Sequence, residues 1–152
     1  MAFPTVITIG PIVVSQPPEL DIVSDAGFAI CPSAEVVLSN ASTSPELVEE
    51  GGCTDEYKIY WELDEGLTLV SGNLGDPQGA TGSDFDPTLW LTGDSSIVVT
   101  SDQNGFYQAT MWAATRCGED STSVVIQVLE SGSIEVDFPA QTICSLGRRQ
   151  IL

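Results

Sequence analysis

The sequence contains no histidine. Histidine is the commonest general base in enzymes and the commonest side-chain ligand of transition metals. Its absence also removes the usual partner of a serine or cysteine nucleophile. Paired carboxylates can support glycoside hydrolysis, but no pair here stands in a context that would raise a pKa, and a compact domain of this size leaves little room for a substrate cleft. The sequence therefore predicts a protein that is not an enzyme.

Positive charge is almost as scarce. Lys58, Arg116, Arg148 and Arg149 stand against 22 acidic residues, which gives a formal net charge of −18. No surface can be strongly basic, so nucleic acid and anionic membranes are repelled. Two interpretations stay open: the acidic groups bind cations, or they keep an extracellular or salt-tolerant protein soluble. The second is the commoner role of such a surface.

Long apolar runs are also missing. Near the N-terminus, Pro4 and Pro11 bracket a short apolar stretch that has no basic segment before it. The stretch is too short to span a bilayer and does not have the pattern of a signal peptide. Either a leader has been removed, or another segment precedes this one, or the protein reaches its destination without the general secretory route.

The four cysteines, Cys31, Cys53, Cys117 and Cys144, are widely spaced. They form no Cys-x-x-Cys pair, and no histidine is present to complete a zinc site. Structural disulfides, which imply an oxidising compartment, are favoured over four small buried side chains in a reducing one.

What the sequence does contain is a series of short alternating strands, the clearest at residues 57–63. Further strands are predicted by the same pattern at 35–39, 67–70, 89–91, 97–100, 106–115 and 124–128. Helix signals are confined to residues 46–50, a stretch too short to stand alone. Short strands with turn residues between them are typical of an all-β sandwich. The expected core residues are Ile59, Trp61, Leu63, Tyr107, Ala109 and Met111.

Two of these strands carry a family signature. The first reads Tyr60-Trp61-Glu62-Leu63-Asp64-Glu65-Gly66, and the second runs from Gly105 through Tyr107 to Ala113, before Cys117 and Gly118. Together they resemble the polycystic-kidney-disease-type (PKD) repeat, whose strands read Tyr-x-Trp-Asp-Phe-Gly-Asp-Gly and Gly-x-Tyr-x-Val-x-x-x-Val. Asp64-Glu65 stands where Gly-Asp is usual, and Trp112 stands where an aliphatic residue is common. The similarity is closest to variant modules of surface proteins from Bacteroidetes-type bacteria.

The resemblance implies an immunoglobulin-like β-sandwich of about seven strands at residues 18–129. An extended, apolar, β-prone N-terminal arm occupies residues 1–17. In residues 130–152 the pair Ile143-Cys144 repeats Ile30-Cys31, so this stretch is either the start of a second repeat or a C-terminal tail used in assembly.

The resemblance also implies a disulfide pairing. In a sandwich of this type, the loop before the Trp strand and the loop after the Tyr strand lie at the same end. Cys53 and Cys117 fall in these two loops and are expected to be bonded. A bond between Cys31 and Cys144 is a second pairing, which depends on the incomplete repeat.

Several acidic turns are candidate calcium sites, because flexible turns that carry carboxylates suit a hard cation. Asp84 and Asp86 are the best pair, since alternate residues can point to one side, and Asp64 and Glu65 are the other candidates. No stretch matches an EF-hand loop. Solvated turn carboxylates are the preferred interpretation, and no other cofactor is expected.

Two tryptophans and the arm are candidate contact sites. Trp90 and Trp112 are either exposed aromatics that stack on sugars or anchor a partner, or residues covered by a neighbouring loop. The arm presents an apolar, β-prone surface that needs pairing on its own domain or on a neighbour. Its contact candidates are Val6, Ile7, Ile9, Ile12 and Val13.

These features favour a non-catalytic adhesive or structural module that contacts other protein copies or modules, at the cell surface or elsewhere outside the cell. An alternative is a self-assembling subunit of a filament or a virion decoration protein, whose terminal strands bind neighbouring copies. A weaker alternative is a carbohydrate-binding accessory module that contacts surface glycans. None of these functions requires nucleic acid or insertion into a membrane.

Overall fold

The computed structural model describes residues 19–43, 58–115 and 118–130. The described residues are mostly β-structure, with two short 3₁₀ turns at Gly82–Asp84 and Pro87–Leu89. The strands in these ranges are β1 Ile22–Ser24, β2 Ala29–Ile30, β3 Glu35–Asn40, β4 Lys58–Leu63, β5 Thr68–Ser71, β6 Ser96–Thr100, β7 Gly105–Thr115 and β8 Gly118–Val128.

The strands form two sheets of four. The first sheet has the order β1-β3-β6-β5, and all of its neighbours are antiparallel. The second sheet has the order β2-β8-β7-β4, and within it β2 runs parallel to β8. The two sheets enclose one core, which confirms the prediction of an all-β sandwich.

The core follows the two-residue period of the strands. Alternate residues of the first sheet are buried, such as Val36 and Leu38 on β3, and they meet Ala109 and Met111 from β7. Of the predicted core residues, Ile59, Trp61, Ala109 and Met111 are buried. Leu63 and Tyr107 are only partly buried and pack against the rim of the core.

Residues 72–94, here called the covering segment, fold over the edge and the outer side of β4. The backbone N–H of Trp61 donates to the carbonyl of Leu74 at 2.7 Å, and the N–H of Gly93 donates to the carbonyl of Ile59 at the same distance. The indole N–H of Trp61 donates to the carbonyl of Asp94 at 2.9 Å. These bonds occupy edge groups that would otherwise be open to another strand.

The predicted strand at residues 89–91 is wrong. Pro87 begins a 3₁₀ turn that ends at Leu89, and the carboxylate of Asp86 caps this turn by accepting from the N–H of Thr88. Proline suits this position because its φ is fixed and its nitrogen has no hydrogen to bond. Of residues 89–91, only Leu91 makes an isolated β-bridge, with Asp76.

The last strand begins earlier than the sequence indicates. β8 starts at Gly118, whereas hydrophobic alternation is visible only from Val124. Its first half is polar, but it pairs with β7 in unbroken register from Gly118 opposite Thr115. The first half of β8 is therefore a strand because it pairs with β7, and not because its residues alternate between apolar and polar.

The fold makes Trp61 the first residue to test. Its side chain is 2 % exposed within the core, so Trp61→Ala should leave a cavity and lower the free energy of unfolding by about 3–5 kcal/mol. Urea unfolding measures this loss. Trp61→Phe is the control: it keeps an aromatic ring but loses the bond to Asp94. Its free energy of unfolding should lie between those of the wild type and the alanine variant. A loss below about 1 kcal/mol for the alanine variant would contradict the buried position.

A matched pair of glycines tests the contact of the covering segment with β4. Gly75 and Gly79 have similar positive φ angles of 79° and 74°, so alanine at either carries the same backbone cost of about 1 kcal/mol. A Cβ at Gly75 would lie 2.6 Å from the nitrogen of Gly93 and 2.9 Å from the carbonyl oxygen of Ile59. A Cβ at Gly79 would have no neighbouring atom within 4 Å. Gly75→Ala should therefore cost at least about 2 kcal/mol more in urea unfolding, and equal losses would show that the segment does not pack this closely.

Candidate functional site

The outer face of the second sheet carries the candidate sites. Side chains that alternate with the core residues of β4, β7 and β8 point to this face. Tyr60, Trp112 and Ser121 form one row across the three strands, and Glu62, Thr110 and Ser123 form the next. The covering segment lies over one end of the face and leaves the other end open.

The covered end holds a cluster of aromatic rings. Trp90 meets Tyr60 edge-on, with ring centroids 4.9 Å apart, and Phe85 meets Trp90 in the same way at 6.3 Å. Trp112 stacks on Tyr60 at 5.9 Å with the planes 3° apart. These are favourable geometries for aromatic pairs, and they attach the covering segment to the sheet.

Of the two alternatives for Trp90, the structure has the covered one. The side chain is 1 % exposed, and its indole N–H donates to the carbonyl of Ala80 at 2.8 Å. It therefore cannot act as an exposed anchor for a partner or a sugar. Trp112 is half-buried, and its indole N–H donates to the carboxylate of Glu62 at 2.7 Å.

Two carboxylates flank the hydroxyl of Tyr60. Burial raises the pKa of Tyr60 to about 12, and the negative charges of Glu62 and Glu119 add to the effect. One oxygen of Glu119 accepts from the N–H of Gly82 at 2.6 Å, while its other oxygen is buried without a hydrogen-bond partner. The bonded oxygen joins the first 3₁₀ turn to β8, so this carboxylate holds the covering segment in place.

Two of the four candidate calcium ligands, Asp64 and Asp86, accept hydrogen bonds from the backbone. Asp64 accepts from the N–H of Gln108 at 2.7 Å, which holds the turn after β4 against β7. Asp86 accepts from the N–H and the hydroxyl of Thr88, at 3.0 and 2.6 Å, and these bonds lower the pKa of Asp86. Glu65 and Asp84 are exposed. In residues 19–43, 58–115 and 118–130, no group of three or more acidic, cysteine or histidine side chains could hold a metal ion, so the predicted ligands are not assembled there.

The predicted disulfides and the arm lie largely outside the described residues. Cys31 is disulfide-bonded, but Cys53, Cys117 and Cys144 are outside those residues, so both pairings stay predictions. The arm residues Val6, Ile7, Ile9, Ile12 and Val13 are outside them as well.

The open end of the outer face is partly apolar; the side chains that β7 and β8 contribute to it are uncharged, whereas β4 contributes the carboxylate of Glu62. The amide of Gln108 donates to the hydroxyls of Thr110 and Ser123, at 3.2 and 3.0 Å, and these hydroxyls bond each other at 2.9 Å. Beside this row Phe106 is 71 % exposed and Val125 is 54 % exposed. The residue pattern alone does not single out either residue, although each sits at an outward position of an otherwise regular alternation.

The outer edge of β8 is the second feature that sequence reasoning missed. β2 pairs with β8 only at Gln127 and Val128. Along the rest of β8, no other described strand pairs on that side. Only the fold reveals this edge, because strand order is not visible in the residue pattern.

Comparison with known proteins gives little. No protein-family model matches the sequence, and no curated protein matches it. A solved β-glycosidase from Bacteroides vulgatus is similar to 75 % of this chain, with a TM-score of 0.41 and 12 % identity, and the match covers 14 % of that chain. No helix among the described residues is long and apolar enough to cross a membrane.

The raised pKa of Tyr60 predicts a dependence of stability on pH. An ordinary tyrosine releases its proton near pH 10, whereas the folded protein holds this proton up to about pH 12. Between these values the unfolded state binds fewer protons, so stability falls as pH rises, by on the order of 2 kcal/mol for this group. Tyr60→Phe should lack this part of the fall when urea unfolding is followed over the same pH range. Equal falls in both proteins would contradict the assignment.

Proposed function

We propose that the chain is a non-catalytic, immunoglobulin-like module of the PKD type that makes protein–protein contacts outside the cell. The observation that carries this proposal is the open end of the outer face. There Phe106 and Val125 are 71 % and 54 % exposed on adjacent strands of one hydrogen-bonded sheet. Exposed apolar side chains on a rigid support, next to neutral polar groups, are typical of contact surfaces.

The strand order supports the immunoglobulin-like type. One sheet of a constant-type immunoglobulin domain contains strands A, B, E and D, and the other contains C, F and G. The orders β1-β3-β6-β5 and β2-β8-β7-β4 correspond to these sheets, with the first strand divided between them. Trp61 then lies on the third strand of that fold and packs into the core, as the tryptophan of an immunoglobulin domain does.

The placement of the carboxylates favours a non-catalytic role. Asp64, Asp86 and Glu119 each accept a hydrogen bond from a backbone N–H, as does Asp94 from the N–H of Asn73 at 2.9 Å. Such bonds hold turns and the covering segment in place. The acidic charge favours a protein partner over nucleic acid or an anionic membrane.

A self-assembling subunit is the second candidate function, and the outer edge of β8 favours it. An edge with unpaired backbone groups is a ready template for a strand from another chain. In this case the contacts would join copies of the chain into a filament, a virion surface or another extracellular assembly.

A pair of double variants of the full chain tests the contact role of the open face. Phe106→Ser with Val125→Ser removes both exposed apolar groups. Self-association measured by sedimentation equilibrium should weaken about tenfold, because about 1.4 kcal/mol of binding free energy from apolar burial is lost. Leu89→Ser with Leu91→Ser is the control, since these side chains are 53 % and 61 % exposed on the covering segment. Equal association of the two double variants would argue against the open face as the contact surface.

A further inference from the structure

The edges of the two sheets are unequally protected. The edge of β4 is bonded to the covering segment, as described above. At the edges of the first sheet, β1 is three residues long and β5 has an irregular register between Leu69 and Ser71. Short and irregular edge strands are poor templates for pairing. β8 is eleven residues long, and β2 covers only its last part.

The hydrogen bonds at the end of β8 identify the groups that face its outer edge. Gln127 and Leu129 donate their backbone N–H groups to Phe28 and Ile30, which lie on the side away from β7. Because backbone groups alternate in direction along a strand, the odd-numbered residues before Gln127 face this side too. They are Glu119, Ser121, Ser123 and Val125. Ser121 is the protected one of these, since its N–H donates to the carboxylate of Asp120 at 2.8 Å.

The arm contains a segment that suits this edge. Thr5 to Gly10 reads Thr-Val-Ile-Thr-Ile-Gly, an uncharged and mostly β-branched run of six residues. Pro4 and Pro11 bound it, and they are seven positions apart, so their nitrogens would face opposite sides of an extended strand. One of them would face β8 without a hydrogen to donate. Pairing is therefore confined to the residues between them, which span about 20 Å.

Glu19, the first described residue after the arm, lies at the end of the domain where β8 starts. The N–H of Ser33, just before β3, donates to the carbonyl of Ser101, just before β7, so both strands start at one end. Gly105 opens β7 opposite the last residue of β8, and β1 is antiparallel to β3. The bridge between Glu19 and Thr43 therefore lies at the opposite end, which is also the end at which Gly118 starts β8.

The sequence before Glu19 disfavours a return of the arm to its own β8. Pro17 and Pro18 favour an extended chain at residues 16–18, and an extended chain there would continue the line of β1 away from the domain. A reversal would then have to fall within 12–15, where Ile12, Val13 and Val14 are β-branched and Ser15 is the one residue of a type common in turns. A reversal at Gly10-Pro11 would come too late. Residues 1–9 would then be used up in running back along residues 12–18 to Glu19, and none would be left to pair with β8.

We propose that Thr5–Gly10 of a second copy of this chain adds as a strand to the outer edge of β8. The backbone of the added strand bonds the groups of Glu119, Ser123 and Val125 that face the edge, and its outward side chains lie beside Val125. This inference rests on the proposed function in its self-assembling form and names the two surfaces that meet.

The test uses proline variants of the full chain. Val6→Pro with Ile7→Pro places two adjacent prolines in the segment, so that one of them lacks the N–H needed by β8 whichever side pairs. Val13→Pro with Val14→Pro is the control in the linker. Sedimentation equilibrium measures association, and hydrogen exchange measures the protection of the Ser123 and Val125 amides.

The segment variant should associate at least about tenfold more weakly than the wild type and lose protection at both amides, because several backbone bonds are lost. The linker variant should keep both properties. Ser123→Pro tests the other partner: its N–H faces the edge, so the bonds to β7 stay, and association should weaken while the fold remains.

Three results would overturn the inference. If the wild type associates and the segment and linker variants associate as strongly as it does, the contact lies elsewhere, and the proposed function still stands. If the segment variant stays monomeric while the amides of the wild type exchange freely, the arm binds another surface. If the wild type is monomeric at every concentration, no second copy binds to β8 or to the open face, and of the proposed function only contacts with other proteins remain.

Discussion

β4 is the strand on which the rest of the structure depends, because it is buried from both faces although it stands at the edge of its sheet. Trp61 points into the core, and its neighbour Tyr60 points outward under Trp90. A solvent-facing strand would bury only every second residue. Here Ile59, Tyr60 and Trp61 are buried in succession, which requires a second layer over the outer face.

The covering segment supplies that layer and closes the edge at the same time. Its backbone bonds β4 on one side, the indole of Trp61 bonds its last part, and the ammonium of Lys58 donates to the carbonyls of Thr88 and Trp90. With this edge closed, a chain that pairs with the second sheet meets β8 instead. The same segment leaves Phe106 and Val125 uncovered, so the proposed contact surface and the open strand edge lie next to each other.

The sequence predicts the parts of this structure that rest on local period. Alternation in residues 57–63 identified Ile59 and Trp61 as core residues, and the long run to Thr115 identified β7. The sequence could not decide whether Trp90 is exposed or buried, because one of the two rings that meet this side chain, that of Tyr60, comes from a strand distant in the sequence. Nor could it predict the open edge of β8, which depends on strand order and on how short β2 is. The acidic turns are ambiguous for a related reason: a carboxylate in a turn can accept from a backbone N–H, as those of Asp64 and Asp86 do, as readily as it can bind a cation.

Charge limits what can occupy the edge of β8. With a net charge of −18, two copies repel each other unless the surfaces that meet are neutral. Glu119 and Asp120 make the start of β8 acidic, and the carboxylate of Asp120 already bonds the N–H of Ser121. The later part of the edge, at Ser123 and Val125, carries no charge. Of the chain's β-prone stretches, Thr5–Gly10 brings backbone donors and acceptors without a carboxylate, so it can approach this edge without the repulsion that the acidic remainder of the molecule would meet.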